Sequence, residues 1–535
     1  ATSRPDSIIL RNVFGLSGAG PSVAKFWVRL SMRAIIAQLC RRRSEESVLA
    51  RILCATLAGY SGKLVGTGDV MLNRRHFLQS IVAAAATPSI LSAAHARDLE
   101  ARAGDLVADA NRILDLAPGL RYTVVSRFGD AMSDGLRVPG AHDGMAAFPG
   151  ANGRIRLVCN HELKPESQDA SAFAGVDRDL PDDVRQRFYD RGKDLTPGPG
   201  GTTTTVFNPA TGETERQFLS LAGTEVNCAG GPTPWGSWLS CEECFEDPGN
   251  DWSLLRRHVR EKRHGYVFEV PASADELVTR VPIKAMGRFE HEACAVDPRT
   301  GIVYMTEDRH HSLFYRYIPD VPGKLVEGGR LQALAVAGQE SLPTHNWNRE
   351  AHVPLRRPLD TSWVDLDDVD PAKNDLRLRG ARNGAAMFAR GEGLCLAGDR
   401  LAFTCTIGGP ARRGQVFTYL PGPHEGTADE ARQPGQLELI AEAGEQSLLT
   451  NADNLTMAPW GDLVVCEDTL DGSSSSVIGI RPDGTQYLVA DNAYSGSELA
   501  GVCFSPDGNI MFLNIQYPGM TVAISGDWTS VNRGR

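Results

Sequence analysis

The sequence lacks an apolar run long enough to cross a membrane, and it is short of positive charge and of aromatic side chains. Its 535 residues carry 55 Lys and Arg against 66 Asp and Glu, which gives a formal net charge of −11. Nucleic-acid-binding proteins normally present a basic stripe, so this balance argues against a nucleic-acid partner. Aromatic residues make up only 7% of the chain, but 42% apolar residues are enough for a large core. A disordered or fibrous protein is therefore excluded.

Three patterns that mark common hydrolases and nucleotide enzymes are also absent. The chain contains no GxSxG, no HExxH and no GxxxxGK[ST], which are typical of serine hydrolases, zinc proteases and phosphate-binding loops. Covalent catalysis by a serine is therefore disfavoured.

The cysteines do not form a recognisable framework. Nine of the 11 lie in residues 97–535, an odd number without regular spacing, which argues against a set of disulfides. Cys241 and Cys244 have CxxC spacing, but no second CxxC or HxxxH completes a zinc site. Cys244 is left without a predicted role.

Residues 71–96 resemble a twin-arginine export signal. They begin with a methionine, contain the pair Arg74 and Arg75 before a short apolar stretch, and end in small residues. Pro88 interrupts the apolar stretch, which is far shorter than the ~20 residues that a membrane span needs. We therefore expect recognition by the Tat translocase, no stable membrane insertion, and a periplasmic or secreted protein.

The export signal divides the chain into three predicted parts. Because such a signal is recognised at an N-terminus, we interpret residues 1–70 as a non-native upstream extension and residues 71–96 as the signal. Residues 97–535 then form a single catalytic domain. Residues 1–96 hold 12 basic against 4 acidic side chains, so this domain is more acidic than the whole chain. Such a surplus favours bound cations.

Six segments of the domain share one pattern. Each opens on polar or acidic residues, passes through small or apolar residues to a turn, and returns through an apolar strand to a polar or acidic end. The turn is Pro-x-Gly or Gly-Asp in most copies, as in a β-hairpin. The pattern predicts an all-β protein, a six-bladed β-propeller with inserted loops. The segments are 143–162, 227–243, 290–308, 390–406, 453–468 and 498–514.

The inner strand of a propeller blade lines the axial channel, so residues at the start of each copy would form a ring there. Carboxylates that converge in this way repel one another unless cations lie between them. We therefore predict a metal cluster in the axial channel, although acidic residues could instead cap strand ends at the solvent. The ring would contain Asp143, Asn227 or Cys228, Glu292, Glu392, Asp453 or Asn454, and Glu498.

Several segments also carry a resemblance to a known family. They include NCAGGPTPWGSWLSCEE (227–243), GRFEHEACAVDPRTGIVYMTED (287–308), RGEG (390–393), GQVFTYLPG (414–422) and residues 497–528. These segments are similar to the PhoX alkaline phosphatases. The resemblance implies an exported enzyme with a propeller-like fold and an iron and calcium cluster that hydrolyses phosphomonoesters.

The resemblance further implies a set of metal ligands for Fe³⁺ and Ca²⁺. Cys228 would bind iron, which suits a thiolate, whereas Ca²⁺ takes six to eight oxygen ligands. The carboxylates shared between iron and calcium would be Glu242, Glu243, Glu292 and Glu392. The calcium shell would be completed by Asn227, Asp453 and Glu498.

Arg390 matches the family's phosphate-contacting arginine, and its planar fork can hold two phosphate oxygens. A metal cluster can hold a hydroxide or oxo nucleophile ready and neutralise the phosphate oxygens, while Arg390 binds the remaining charge. The sequence therefore predicts an alkaline phosphatase acting on small phosphomonoesters.

Two other functions remain open on the residues alone. The domain could be a metal-stabilised propeller that binds phosphorylated or acidic ligands without turnover. It could also be a calcium-dependent propeller hydrolase that acts on lactones or phosphodiesters. Cys228 disfavours this last function, because a calcium site built only from oxygen ligands needs no thiolate.

Overall fold

The computed structural model describes residues 106–174, 180–252, 257–347, 352–444, 447–469 and 473–531. The predicted extension at 1–70 and export signal at 71–96 lie outside the described residues. Within the described ranges, no helix has both the length and the apolar character that a membrane span requires.

Short β-strands dominate the described chain. The first eleven are β1 (Leu114–Leu116), β2 (Leu120–Arg127), β3 (His142–Pro149), β4 (Ile155–His161), β5 (Gly200–Asn208), β6 (Glu213–Thr224), β7 (Asn227–Pro232), β8 (Ser237–Glu242), β9 (Gly249–Trp252), β10 (Arg257–Arg260) and β11 (Val267–Pro271). The next nine are β12 (His291–Val296), β13 (Val303–Glu307), β14 (Tyr315–Pro319), β15 (Gly329–Val336), β16 (Leu359–Asp365), β17 (Gly391–Ala397), β18 (Arg400–Cys405), β19 (Gln415–Leu420) and β20 (Gln436–Glu442). The last seven are β21 (Ala452–Met457), β22 (Leu463–Glu467), β23 (Ser476–Ile480), β24 (Gln486–Asn492), β25 (Leu499–Phe504), β26 (Met511–Ile515) and β27 (Met520–Gly526).

Helices are few and short in the same ranges. The α-helices are α1 (Asp182–Arg185) and α2 (Leu376–Arg382). Single 3₁₀ turns occur at Ala151–Gly153, Gln168–Ala170, Gly192–Asp194, Lys284–Met286, Leu325–Glu327, Glu430–Arg432 and Trp528–Ser530. The all-β prediction is therefore confirmed.

The strands pair antiparallel in sheets that mostly follow chain order. The sheet orders are β3-β4-β5-β6, β7-β8-β11, β12-β13-β14-β15-β16-β20-β19-β18-β17, β21-β22-β23-β24-β1 and β25-β26-β27-β2, with β9 and β10 as a separate ribbon. The early strands β1 and β2 thus complete sheets whose other strands come from the end of the chain. In one of these sheets, Leu120 pairs with Gly526.

Six hairpins share one irregularity near their open ends. They are β3–β4, β7–β8, β12–β13, β17–β18, β21–β22 and β25–β26. In each hairpin the register shifts two or three residues into the first strand, as between His142 and Met145 in β3. A β-bulge changes the direction in which nearby side chains point, and bulges are common beside active sites. The second residues of these first strands are Asp143, Cys228, Glu292, Glu392, Asp453 and Ala500.

The first strands of these hairpins also contact one another in a closed circle. β3 contacts β7, and the contacts continue through β12, β17, β21 and β25 back to β3. Glycine permits the close approach of neighbouring strands, because a Cβ on Gly144 would lie 2.5 Å from the Cα of Ala229. This arrangement is propeller-like.

The apolar core lies between neighbouring sheets. One cluster packs Phe314, Phe403 and Phe417 between β14, β18 and β19. The circle itself encloses a cavity of about 350 Å³ beyond the bulges, lined by residues such as Ala229, Leu394 and Val502. The other end of the circle of first strands, where the bulges lie, is lined by polar side chains.

Candidate metal centre

Seven side chains converge at the polar end of the circle, and we call them the ligand cluster. They fall into three groups in which one ligand atom of each residue lies within 4.8 Å of the others. The groups are Asp143, Glu162 and Cys228; Cys228, Glu243 and Glu292; and Glu292, Glu392 and Asp453. Because Cys228 and Glu292 each belong to two groups, the cluster is continuous.

The cluster is built from two equivalent places in the hairpins. Five of its residues are the second residues of first strands, beside the bulges. Glu162 and Glu243 instead directly follow the second strands β4 and β8. The residues at this second place in the other hairpins are Asp308, Thr406, Asp468 and Gln516. The hairpins β3–β4 and β7–β8 therefore contribute cluster residues from both strands, whereas β12–β13, β17–β18 and β21–β22 contribute one each.

Glu242 and Asn227 lie outside the three ligand groups, and their side chains make hydrogen bonds elsewhere. Their role as ligands stays a prediction. Successive side chains in a strand point to opposite faces, so Glu242 turns away where Glu243 turns inward. Its carboxylate accepts hydrogen bonds from the backbone N–H of Gly265 at 2.9 Å and of Glu225 at 3.1 Å. The Asn227 amide instead bonds its own sheet, where its Nδ2 donates to Ser240 Oγ at 2.9 Å.

Glu307 and Glu467 occupy the same place as Glu242 in their hairpins and behave alike. Glu467 accepts hydrogen bonds from the backbone N–H of Thr450 at 2.7 Å and of Ser476 at 3.1 Å. Glu307 accepts one from the Tyr315 hydroxyl at 2.7 Å. These buried glutamates tie each second strand to neighbouring segments of the chain.

Glu242 also contacts a buried histidine. The Nδ1 of His264 lies 2.6 Å from Glu242 Oε1, and its Nε2 lies 3.3 Å from Asp190 Oδ2. Burial by itself lowers the pKa of His264, but the charges of Glu242 and Glu225 outweigh it and raise the pKa to about 10. Both ring nitrogens therefore carry protons and donate to carboxylates at neutral pH.

Replacement of Glu242 by Gln tests whether this residue supports the fold or binds metal. Because the buried His264 cation loses a charged partner, we expect the free energy of unfolding to fall by about 3–5 kcal/mol. We expect the metal content to stay unchanged. Urea unfolding and metal analysis of the folded protein measure the two quantities. The matched change Asp453→Asn, inside the cluster, is expected to reduce the metal content, and an equal loss in Glu242→Gln would contradict our assignment.

The same contact makes stability depend on pH. Folding raises the pKa of His264 from 6.5 to about 10, so its contribution is complete below pH 6.5 and is lost as the pH rises through about 10. The Glu242→Gln protein is expected to lose less stability than the wild type over this alkaline range.

Burial and mutual repulsion raise the pKa of the cluster carboxyl groups. The pKa of Asp143 rises to about 6 because of burial, and that of Glu162 rises to about 8 because of burial and the charge of Asp143. Other cluster carboxyl groups with pKa values well above the usual range, again mainly through burial, are Glu243, Glu292, Glu392 and Asp453. Cations between these groups would remove the repulsion.

The donor set fits bound metal ions. The Cys228 thiol donates a hydrogen bond to Glu292 Oε1 at 3.2 Å, while Glu292 Oε2 is buried without a hydrogen-bond partner in the described chain. A buried carboxylate oxygen without a partner is costly, and a cation would satisfy it. One thiol among six carboxyl groups offers both a soft sulfur donor and hard oxygen donors to cations.

Gln516 connects Glu498 to the cluster. Its Nε2 donates hydrogen bonds to Asp143 Oδ2 at 2.8 Å, to Glu162 Oε2 at 2.6 Å and to Glu498 Oε1. Glu498 lies outside the three ligand groups, but burial and the charges of nearby carboxylates, Asp453 first, raise its pKa well above the usual range. It therefore adjoins the cluster without belonging to it.

Arg390 lies at the edge of the cluster and is held there by two carboxylates. Its Nε and Nη2 each donate to Asp308 at 2.7 Å, and Nη2 lies 2.9 Å from Glu392 Oε1. The charge of Glu392 is the main factor that raises the Arg390 pKa. In the described chain, Nη1 donates no hydrogen bond, so it is the nitrogen that remains for a ligand.

Sequence reasoning left several of these residues without a role. Asp143 was predicted as part of the ring but was not among the ligands that the resemblance implies. Glu162, Asp308 and Asp468, which end the first, third and fifth repeats, were given no ligand role. Their repeated place after the second strand was the signal that could have found them. Cys244 is buried and donates to Glu225 O at 3.8 Å, away from the cluster.

A propeller-like all-β fold that directs carboxylates and a thiol to one central place is typical of a metal-binding protein. The family model described as "Alkaline phosphatase PhoX" matches residues 101–519. The chain belongs to the PhoX family of alkaline phosphatases and is a phosphoric monoester hydrolase.

The chain is similar to several solved structures at low sequence identity, and the likeness to one of them, with a TM-score of 0.59, supports the propeller-like fold. Pseudomonas fluorescens PhoX in complex with vanadate, a transition state analogue, is 18% identical with a TM-score of 0.59 and covers 79% of this chain and 98% of its own. A Xanthomonas campestris gluconolactonase, XC5397, is 13% identical with a TM-score of 0.34, covering 76% and 98%. The periplasmic gluconolactonase PpgL of Pseudomonas aeruginosa is 15% identical with a TM-score of 0.37, covering 77% and 93%. The chain has no match among curated proteins.

Proposed function

We propose that residues 97–535 form a six-bladed β-propeller whose axial channel holds Fe³⁺ and Ca²⁺ for phosphomonoester hydrolysis. The closed circle of first strands and the six equivalent bulges support six blades. In this interpretation the long sheet is two blades joined through β16. The observation that carries the function is the convergence of six carboxyl groups and one thiol in the ligand cluster.

The residues divide between the metals by their chemistry. Cys228 would hold iron, and the central carboxylates Glu243, Glu292 and Glu392 would be shared between iron and calcium. Asp453 and Glu498 would contribute to calcium, and we add Asp143 and Glu162 as further oxygen ligands. When bound, such ions supply Lewis acidity and make water nucleophilic at neutral pH.

Arg390 would bind the phosphate group. Asp308 holds the Nε and Nη2 edge of its guanidinium, which fixes the plane and leaves Nη1 for phosphate oxygens. A preorganised donor stabilises the transition state, because it needs no reorientation when charge develops. The sequence analysis expected the planar fork to hold two phosphate oxygens, whereas one edge of the fork is bonded to Asp308.

Replacement of Arg390 by Ala tests this role. We expect bound metals to remain, KM and the inhibition constant of vanadate to rise, and kcat/KM for p-nitrophenyl phosphate to fall by about 100-fold. Steady-state kinetics and metal analysis on the same preparation measure these changes. Arg390→Lys is the matched control, because it keeps the charge beside Glu392 but loses the planar fork.

Two results would contradict this assignment. Unchanged kinetics in Arg390→Ala would remove the arginine from phosphate binding. Loss of metal in Arg390→Ala with full recovery in Arg390→Lys would mean that the charge only neutralises Glu392.

We also propose that the protein is exported. The pair Arg74 and Arg75 supports recognition by the Tat translocase, and the periplasm or the medium would supply calcium and phosphomonoesters. Residues 71–96 would then be removed as a signal, preceded by a non-native extension at 1–70.

A further inference from the structure

The residue that follows Gln516 is an exposed tyrosine. Gln516 donates hydrogen bonds to cluster carboxylates, whereas the next side chain, Tyr517, is 47% exposed. The backbone of Tyr517 is fixed, because its N–H donates to Ser497 Oγ at 2.9 Å and its carbonyl accepts from Ser495 Oγ at 3.2 Å. The backbone of Tyr517 is therefore held in place next to the ligand cluster.

The charges of residues in and beside the cluster act on the Tyr517 phenol. Burial raises its pKa, and the charges that raise it further belong to Glu162, Glu498, Asp143 and Cys228. Its hydroxyl makes no hydrogen bond within the described chain. A ring beside the cluster with nearly half of its surface open to solvent is available to contact a ligand.

A second exposed tyrosine lies on the adjacent segment. Tyr494 is 45% exposed, and its N–H donates to Asn492 Oδ1 at 3.0 Å. Asn492 Nδ2 in turn donates to the carbonyl of Ser497 at 2.8 Å, so the loop that carries Tyr494 is tied to the residue that holds Tyr517. Hydrogen bonds through Asn492 and Ser497 thus connect the segment that carries Tyr494 with the backbone of Tyr517.

Tyr517 and Arg390 belong to different sides of the circle. Arg390 directly precedes β17 and Tyr517 follows β26, and the first strand β21 separates β17 from β25 in the circle. A phosphate held by Arg390 and the cluster would therefore have its ester group free to extend toward another side of the circle.

We propose that Tyr517 contacts the leaving group and favours phosphomonoesters of aromatic alcohols. Aromatic rings prefer stacked or edge-to-face contact with other rings. Such a contact adds binding free energy beyond that of the buried apolar area. This inference rests on the proposed function, because it requires phosphate to bind at the ligand cluster.

The test compares two esters in the full, metal-loaded enzyme. For Tyr517→Ala, we expect kcat/KM for p-nitrophenyl phosphate to fall by about three- to tenfold, the range of one aromatic contact. Glycerol phosphate has no aromatic ring to contact Tyr517, so we expect its kcat/KM to change by less than about twofold. Tyr517→Phe, which keeps the ring, should retain wild-type kcat/KM for both esters. Because each variant is compared with wild type on the same ester, differences in leaving-group reactivity cancel.

Trp235→Ala is the control for loss of an exposed aromatic ring. Trp235 is 38% exposed and lies in the turn between β7 and β8, at the opposite end of that hairpin from the cluster. Its replacement should leave kcat/KM for both esters unchanged.

An equal loss for both esters in Tyr517→Ala, or no loss for either, would overturn the inference. A loss in Tyr517→Phe equal to that in Tyr517→Ala would also overturn it, since the hydroxyl would then carry the contact. Absence of turnover in the wild-type protein would instead contradict the proposed function.

Discussion

Exhaustive treatment with EGTA is expected to abolish phosphatase activity and to lower the thermal unfolding temperature together. The cluster carboxyl groups are buried within a few ångströms of one another, and without cations they must bind protons or repel. Cations that bind only the folded state stabilise it by about 2.7 kcal/mol when their concentration is 100 times Kd. Activity, calcium content and unfolding temperature should therefore fall in parallel.

Restoration by calcium completes this experiment. We expect added Ca²⁺ to recover both activity and thermal stability, and Mg²⁺ to recover less, because Mg²⁺ demands a smaller and more regular shell of oxygen ligands. An enzyme that keeps full activity after EGTA treatment and desalting would contradict the calcium cluster. Loss of activity without any change in unfolding temperature would contradict a cation at the buried carboxylates.

Replacement of Cys228 by Ser is expected to remove iron, with its associated colour, and most of the activity. A neutral hydroxyl is a far poorer ligand than a thiolate, and Cys228 belongs to two of the three ligand groups. Because a metal ion contributes several kcal/mol to the transition state, we expect kcat to fall by about 100-fold or more. Metal analysis, visible absorption and kinetics on one preparation check this result.

Cys395→Ser is the matched control. Cys395 is also half-buried, and it lies on a first strand, β17, three residues after Glu392 but outside the ligand cluster. The control should keep iron and activity. A Cys228→Ser protein with full iron and normal rates would make Cys228 an ordinary strand cysteine.

The repeat pattern predicted much of the centre because it encodes hairpins, and hairpins fix which residues meet. Glu292, Glu392 and Asp453 lie at equivalent places in their copies, and the structure brings all three together. The pattern could not separate Glu242 from Glu243. Adjacent residues occupy opposite faces, and a bulge in the partner strand decides which face is central.

Contacts between distant segments were beyond the sequence pattern. The pairing of Arg390 with Asp308 joins separate repeats, and only the packed structure shows that it occupies one edge of the guanidinium. The sheets completed by β1 and β2 were also not predicted, because these strands precede the first repeat at Asp143. Short strands without a repeated neighbour leave no periodic signal.

The pairing of β2 with β27 has a consequence for the order of events during folding. The sheet that contains Gln516 gains its last strand from the early part of the chain, and Gln516 bonds Glu162 across 354 residues of sequence. Such long-range contacts are costly in loop entropy and form slowly. During synthesis, β2 therefore cannot pair until β27 has left the ribosome. The circle of first strands closes, and the metal centre becomes complete, only after β25 and Gln516 have also been made.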